Sequence, residues 1–195
     1  MIYDVCTYNG EAELFDIRYN VLKDFVHEFR VVEFDKTFSG KPKLPLMRYD
    51  LSKNSDGKEY LKLKHYYVRE DVWSKYEELA NSSPNTQYGK GAEHWIREFM
   101  MKESIKDCLT DLKDNDVVFI GDCDEIWSVT QNDLVAVKVF ARWLKLKLRV
   151  YSYWLNNKSN EEFWGTLVSE WGSLKNECLN DIRANTPSKT QGYCG

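Results

Sequence analysis

No stretch of this 195-residue chain approaches the roughly 20 consecutive apolar residues that a membrane-spanning helix needs. From Met1 the chain runs straight into IYDVCTYN, without the basic head, apolar run and small-residue cleavage site of a secretory leader, so a soluble, cytoplasmic protein is expected. An excess of one charge is missing too: 31 acids against 27 bases leave a net charge of −4, mixed along the chain. That balance offers no basic field for nucleic acid and no polybasic anchor for a membrane surface. The five cysteines, Cys6, Cys108, Cys123, Cys178 and Cys194, are odd in number and far apart. With no Cys-x-x-Cys and no Cys/His spacing of a zinc site, they read as reduced thiols. Internal repeats and low-complexity tracts are lacking. What is there is ordinary for a folded protein: 43% hydrophobic and 14% aromatic residues exclude disorder over most of the length, and residues 1–195 suit a single domain with one buried core.

The chain alternates between two periodicities. IYDVCTY has strand character and ELFDIRYNVLKDFV follows, with Leu14, Ile17, Val21 and Phe25 spaced to share the inward face of a helix. FRVVEF and KLKHYYV read as further strands, separated by DKTFSGKPKLP, where Gly40, Pro42 and Pro45 interrupt regular structure. NSSPNTQYGK, residues 81–90, is the most loop-like stretch. Over 91–112 a helix is predicted from Met101, Ile105, Cys108 and Leu112, supported by Trp95 and Phe99 a turn or more earlier. VVFIG, from Val117, is apolar throughout, as a central parallel strand covered on both faces would be. TQNDLVAVKVFARWL predicts another helix, capped by Thr130 or Asn132. LKLKLRVYSYWL alternates strictly, with Leu144, Leu146, Leu148 and Val150 on one face, as a half-exposed antiparallel strand does. EEFWGTLVSEW is one more strand, and the tail from Asn180 to Gly195 is polar with little to bury. The expectation is an α/β fold, a mixed, mostly parallel sheet flanked by helices.

The stretch VVFIGDCDEIWS carries the chemistry. In open α/β sheets the carboxyl ends of the strands form the ligand crevice, and Asp122, Asp124 and Glu125 stand at such an end. Asp122 and Asp124, two positions apart, are expected to converge, and two carboxylates that close repel unless a cation intervenes. Oxygen ligands select Mg²⁺ or Mn²⁺, ions that take one or two carboxylates and complete their shell with water and phosphate. A buried strand that simply reaches the surface in a polar loop is the alternative. Glu125 fits a substrate hydroxyl, the metal's water shell or a neighbouring cation. Tyr151, Tyr153, Trp154, Trp164 and Trp171 are candidates for a sugar-stacking platform.

VVFIGDCDEIWS resembles the strand and Asp-Val-Asp-Glu-Ile-Pro segment of glycosyltransferase family 17. In the same order, NGEAELFDIRYNVL is similar to the family's amino-terminal segment through Glu11, Asp16, Ile17 and Arg18. VVEFDKTFSGKPK resembles its Thr-Phe-Ser-Gly-Lys-Pro-Lys run, the most specific of these matches, and HWIREFMMKESI its Trp-x-Arg-Glu helix through Trp95, Arg97 and Glu98. EEFWGTLV is loosely similar to a later Trp-x-Gly-Thr segment. The resemblance implies a GT-A-like, Rossmann-like transferase that uses Mn²⁺ or Mg²⁺ and a UDP-sugar, with N-acetylglucosamine as the expected sugar and a carbohydrate or other hydroxyl acceptor, and that inverts the anomeric centre. It implies metal contacts for Asp122 and Asp124, with Asp124 the direct ligand, donor contacts for Asp122, Arg97, Glu11 and Lys41, and catalytic roles for Asp124 and Glu125. An inverting transfer also needs a general base, for which Glu125, Glu170 and Asp181 are candidates. Trp127 and Ser128 stand where the family has proline, so the loop is expected to leave the acids by another path. Relatives continue beyond the point where this chain reaches QGYCG, and part of the catalytic domain is expected there. Two other readings accommodate Asp-x-Asp: a phosphatase-type hydrolase with Asp122 as nucleophile, and a domain that binds nucleotide-sugar or glycan without catalysis.

Overall fold

The computed structural model describes residues 1–48, 60–83, 93–128, 143–151 and 158–184, the side chains of 160–162 excepted. The helix expected over 130–144 lies almost wholly outside them, as do most of the 81–90 loop, Tyr153, Trp154, Cys194 and the tail beyond 184. Strand β1 (Ile2–Thr7) leads into helix α1 (Ala12–Leu22), and β2 (Glu28–Phe34) and β3 (Leu63–Val68) follow. Short helices α2 (Glu70–Trp73) and α3 (Glu77–Ser82), joined by a 3₁₀ turn at Ser74–Tyr76, cover DVWSKYEELA, where the sequence pattern had suggested no element. Next come α4 (Glu93–Glu103), which tightens into a 3₁₀ turn at Ser104–Leu109, and β4 (Val117–Asp122). The rest is β5 (Leu144–Tyr151), β6 (Lys158–Glu170), α5 (Trp171–Leu174) and α6 (Leu179–Ala184). Among the described residues no helix is long and apolar enough to cross a membrane.

The strands form one sheet in the order β3-β2-β1-β4-β6-β5. β1 to β4 run parallel, β6 runs antiparallel to β4, and β5 antiparallel to β6. This is the expected mixed, mostly parallel α/β sheet, and its 3-2-1-4 half is the first half of a doubly wound, Rossmann-like fold. β4 shows why its sequence is apolar throughout. Val118 and Ile120 pack into the layer containing Phe99, Met101 and Ile105, while Val117 and Phe119 pack into the opposite layer with Leu22. Met101, Ile105, Cys108 and Leu112 are all buried, as their spacing predicts.

Helix α1 is rotated from the expected face. Ile17, Val21 and Phe25 are 39%, 48% and 67% exposed, whereas Phe15, Arg18 and Leu22 are buried. The inward side chain that decides the rotation is Arg18, which meets the buried Asp4 of β1. Phe15 and Leu22 still fill the core, so turning the helix trades one apolar set for another and supplies the cation that a buried carboxylate requires. Lys145 likewise breaks the alternation of β5: it is buried, and its ammonium donates to the Arg183 carbonyl at 2.5 Å. The expectation of a polar tail from Asn180 is corrected as well. Leu179 and Ile182, one helical turn apart in α6, are buried, and Asn180 donates to the Phe99 carbonyl at 3.0 Å.

Candidate active site

From β1 the chain proceeds to β2 and β3 on one side and reaches β4 on the other, so the carboxyl ends of β1 and β4 flank a topological switch point. Thr7 and Asp122, the last residues of these strands, are register partners. A cavity opens there, lined by Thr7, Tyr8, Asn9, Glu11 and Leu14 from the end of β1 and the start of α1. Phe34, Lys36, Thr37, Phe38 and Lys43 close a second side, and Asp122, Cys123 and Asp124 a third.

The repulsion expected between the two aspartates is answered at Asp122 by protein cations. Its Oδ1 accepts from the Thr7 hydroxyl at 2.8 Å, and its Oδ2 meets Lys102 Nζ at 3.3 Å and Arg183 Nη2 at 3.1 Å. Burial pushes this carboxyl up, but Arg183, Lys102 and the Thr7 hydrogen bond outweigh it and hold the pKa down to about 2. Because the folded value lies below the ordinary 3.8, the ionised form stabilises the fold above that pH, and the contribution is lost as pH falls through about 2. With 35% of the side chain in solvent, screening reduces the contribution to about 1 kcal/mol. In acid melts, wild type and Asp122→Asn are therefore expected to converge between pH 5 and pH 2 by about that amount. A stability gap that stays constant over this range would contradict the assignment.

Asp124 is the exposed member of the pair and lines the cavity, with no ion pair among the described residues. Among the described residues no group of three or more His, Cys, Asp and Glu could form a complete metal cage. The donor set present, the exposed Asp124 carboxylate beside Asp122, which is paired with protein cations, fits an ion of the Mg²⁺ or Mn²⁺ kind that draws its other ligands from phosphate and water.

The backbone of the acidic loop is held from below. Arg18, fully buried, grips Asp4 through two hydrogen bonds of 2.7 Å. Its remaining Nη1 donates to the carbonyls of Asp122 at 2.9 Å, Cys123 at 3.4 Å and Glu125 at 2.9 Å. Trp127 donates from Nε1 to Asp4 at 2.6 Å and stacks on Phe119 with ring centroids 3.8 Å apart. One buried carboxylate thus anchors both the guanidinium under the loop and the indole that fixes the loop's exit.

Glu125 is 4% exposed and does not line the cavity. Its Oε1 meets Arg183 Nη2 at 3.2 Å, and its Oε2 accepts from the Thr166 hydroxyl at 3.3 Å. A Cβ added at Gly121 would lie 2.5 Å from that Oε2, and one at Gly165 would lie 2.9 Å from the Glu125 Cδ, so both glycines make room for this side chain. Burial raises its pKa, Arg183 opposes the rise and the Asp122 charge adds to it. Glu170 and Asp181 do not line the cavity either; Asp181 accepts from Ser83 at 2.7 Å.

Of the other residues singled out from the sequence, Glu11 lines the cavity and accepts from the Asn9 amide at 2.6 Å. Lys41 is exposed and outside the cavity; Lys43, two residues on, lines it instead. The Lys43 ammonium bridges the Tyr8 carbonyl and Asn9 Oδ1, both at 3.0 Å, and lies 3.5 Å from the buried Glu33. Burial lowers its pKa, against the pull of Glu33. Arg97 also stands outside the cavity: its Nη1 donates to the Phe38 carbonyl at 2.6 Å, and Glu93 lies 4.0 Å away. Trp171 is buried in the core, and Tyr151 and Trp164 are outside the cavity. Lys102, Arg183 and Lys43 were not picked out from sequence. Only Lys43 carried a signal, its place in the TFSGKPK run; Lys102 and Arg183 reach Asp122 from 20 and 61 residues away.

The sequence profile of a family described as Glycosyltransferase family 17 matches residues 1–185, nearly the whole chain. The chain belongs to glycosyltransferase family 17. The enzyme is accordingly a glycosyltransferase, and the Asp-x-Asp loop, the TFSGKPK turn and the Arg97 helix lie within the matched span. A search of curated proteins gives no match. Among solved structures, the chain is similar to mouse xyloside xylosyltransferase 1 in its apo form at 10% identity and a TM-score of 0.44, covering 93% of this chain and 70% of that one. It is also similar to the Francisella tularensis 2-C-methyl-D-erythritol 4-phosphate cytidylyltransferase at 12% identity and a TM-score of 0.41, covering 88% of this chain and 73% of that one.

Proposed function

We propose that the transferase moves a sugar, N-acetylglucosamine, from a UDP-sugar to a hydroxyl of a carbohydrate acceptor with inversion, and that Asp124 is the residue that would hold Mn²⁺ or Mg²⁺ for the donor diphosphate. The observation that carries this reading is the division of labour in the acidic pair: Asp122 is paired with Lys102 and Arg183, which also serve Glu98 and Glu125, while Asp124 is exposed on the cavity at the switch point. When bound, the ion would offset charge that builds on the departing diphosphate. Asp124 would hold that ion, since a carboxylate alone repels the phosphates. Asp122, fixed by three partners, presents an oriented anion to the donor's ribose or to water at the site. Arg18 keeps the loop carbonyls turned inward, so that neither carboxylate has to reorganise as the donor arrives. Glu125 acts as a positioning residue, holding Arg183 against Asp122 from a pocket that excludes the acceptor. In the transfer, the acceptor oxygen forms the new bond to the anomeric carbon as the bond to the diphosphate oxygen breaks, and the acceptor proton passes to a base.

The phosphatase alternative requires a free Asp122 nucleophile, but both of its oxygens accept hydrogen bonds from protein donors. Incubation with UDP-N-acetylglucosamine and Mn²⁺ tests the proposal through release of UDP, by slow hydrolysis or in the presence of a glycan acceptor. Release of UDP that depends on the metal is the expected result. Turnover of an aryl phosphate without any release of UDP would overturn it.

A further inference from the structure

We propose that Phe38 is the surface on which the donor's sugar ring packs, an inference that rests on the nucleotide-sugar reading above. Phe38 lines the same cavity as Asp122 and Asp124 and remains 39% exposed. An apolar ring left in solvent on a loop would ordinarily be free to turn away, yet this one sits on a tightly constrained turn. The Thr37 amide donates to the Lys41 carbonyl at 2.9 Å, the Gly40 amide to the Thr37 carbonyl at 2.8 Å, and the Lys41 amide to the Thr37 hydroxyl oxygen at 3.1 Å. Gly40 has φ +86°, and a Cβ there would lie 3.0 Å from the Arg97 Cζ, so the guanidinium is packed directly against the turn. Arg97 then donates to the Phe38 carbonyl at 2.6 Å, tying the ring's own backbone to α4. The most specific sequence match and the Trp-x-Arg-Glu helix thus converge on the placement of one aromatic ring.

Its distance from the acids narrows the ligand portion to the units next to the diphosphate. The Lys102 ammonium lies 5.8 Å from the Phe38 ring centroid and 3.3 Å from Asp122 Oδ2, so one side chain bridges the ring and Asp122. In a nucleotide-sugar bound by its diphosphate at the acids, the two units attached directly to phosphate are the sugar and the ribose, whereas the base lies beyond the ribose, and of the two the pyranose presents the broader apolar C–H face. The apolar C–H face of a pyranose suits an aromatic face, and Thr37, which lines the same cavity, can meet its hydroxyls.

The experiment compares UDP with UDP-N-acetylglucosamine, each with Mn²⁺, by calorimetry on the full chain carrying wild-type Phe38, Phe38→Ala or Phe38→Tyr. Phe38→Ala is expected to leave UDP affinity within about twofold and to weaken UDP-N-acetylglucosamine by about tenfold, while Phe38→Tyr retains both. Parallel loss of both ligands in Phe38→Ala would place the ring against the nucleotide and overturn the proposal. Unchanged affinity for both would overturn it equally. If wild type bound neither ligand, the nucleotide-sugar reading itself would fall, an outcome distinct from a failure confined to Phe38.

Discussion

Arg18→Met is expected to lower stability by about 3–5 kcal/mol, because it strands the Asp4 carboxylate without a cation in the core. The cost should exceed that of most single changes. Arg18 and Asp4 are both fully buried, and the guanidinium also satisfies three loop carbonyls that no methionine could reach. For a chain of this size the loss corresponds to a fall in melting temperature of roughly 10 °C. Arg18→Lys keeps the charge but offers a single compact ammonium in place of a planar fork, so it should recover only part of the loss. A melting temperature for Arg18→Met within about 2 °C of wild type would show that the pair does not anchor the loop.

Asp124→Asn is expected to reduce the rate of sugar transfer by about 100- to 1,000-fold with little effect on the melting temperature. The two halves of this expectation share one origin. Asp124 is exposed and holds no partner in the core, so neutralising it leaves packing untouched while removing the carboxylate proposed to hold the ion at the donor phosphates. Asp122→Asn should behave differently, losing stability as well as rate, since its carboxylate joins Thr7, Lys102 and Arg183. Rate assays and melts on both variants separate the two roles. Equal rate losses accompanied by equal stability losses would contradict the division between an exposed anchor and a neutralised partner.

Where the sequence was legible, local pattern and tertiary structure agreed. Apolar residues throughout VVFIG announced a strand covered on both faces, and Met101, Ile105, Cys108 and Leu112 announced the buried side of a helix. The acids at the end of β4 could be placed at a ligand crevice because strand ends in α/β sheets are where such crevices form. Pattern failed where a charged residue goes inside. Apolar periodicity in α1 pointed to Ile17, Val21 and Phe25, and only the presence of Asp4 in the neighbouring strand makes Arg18 the inward residue. Lys145 misleads in the same way, since an alternating strand reads every lysine as solvent-facing. The cations on Asp122 were illegible for another reason. Lys102 lies on a helix and Arg183 in a stretch whose composition suggested nothing to bury, and their convergence is a property of the sheet order rather than of any local window.

These placements meet in one claim, that Asp124 rather than Asp122 anchors the donor phosphates through a divalent ion. Titration of UDP into wild type and Asp124→Asn, each with and without Mn²⁺, addresses it most directly. Wild type should bind UDP at least about tenfold more tightly with the metal than without, and Asp124→Asn should show the same weak affinity in both conditions. Metal-enhanced binding that survives in Asp124→Asn, or wild-type binding indifferent to the metal, would contradict it.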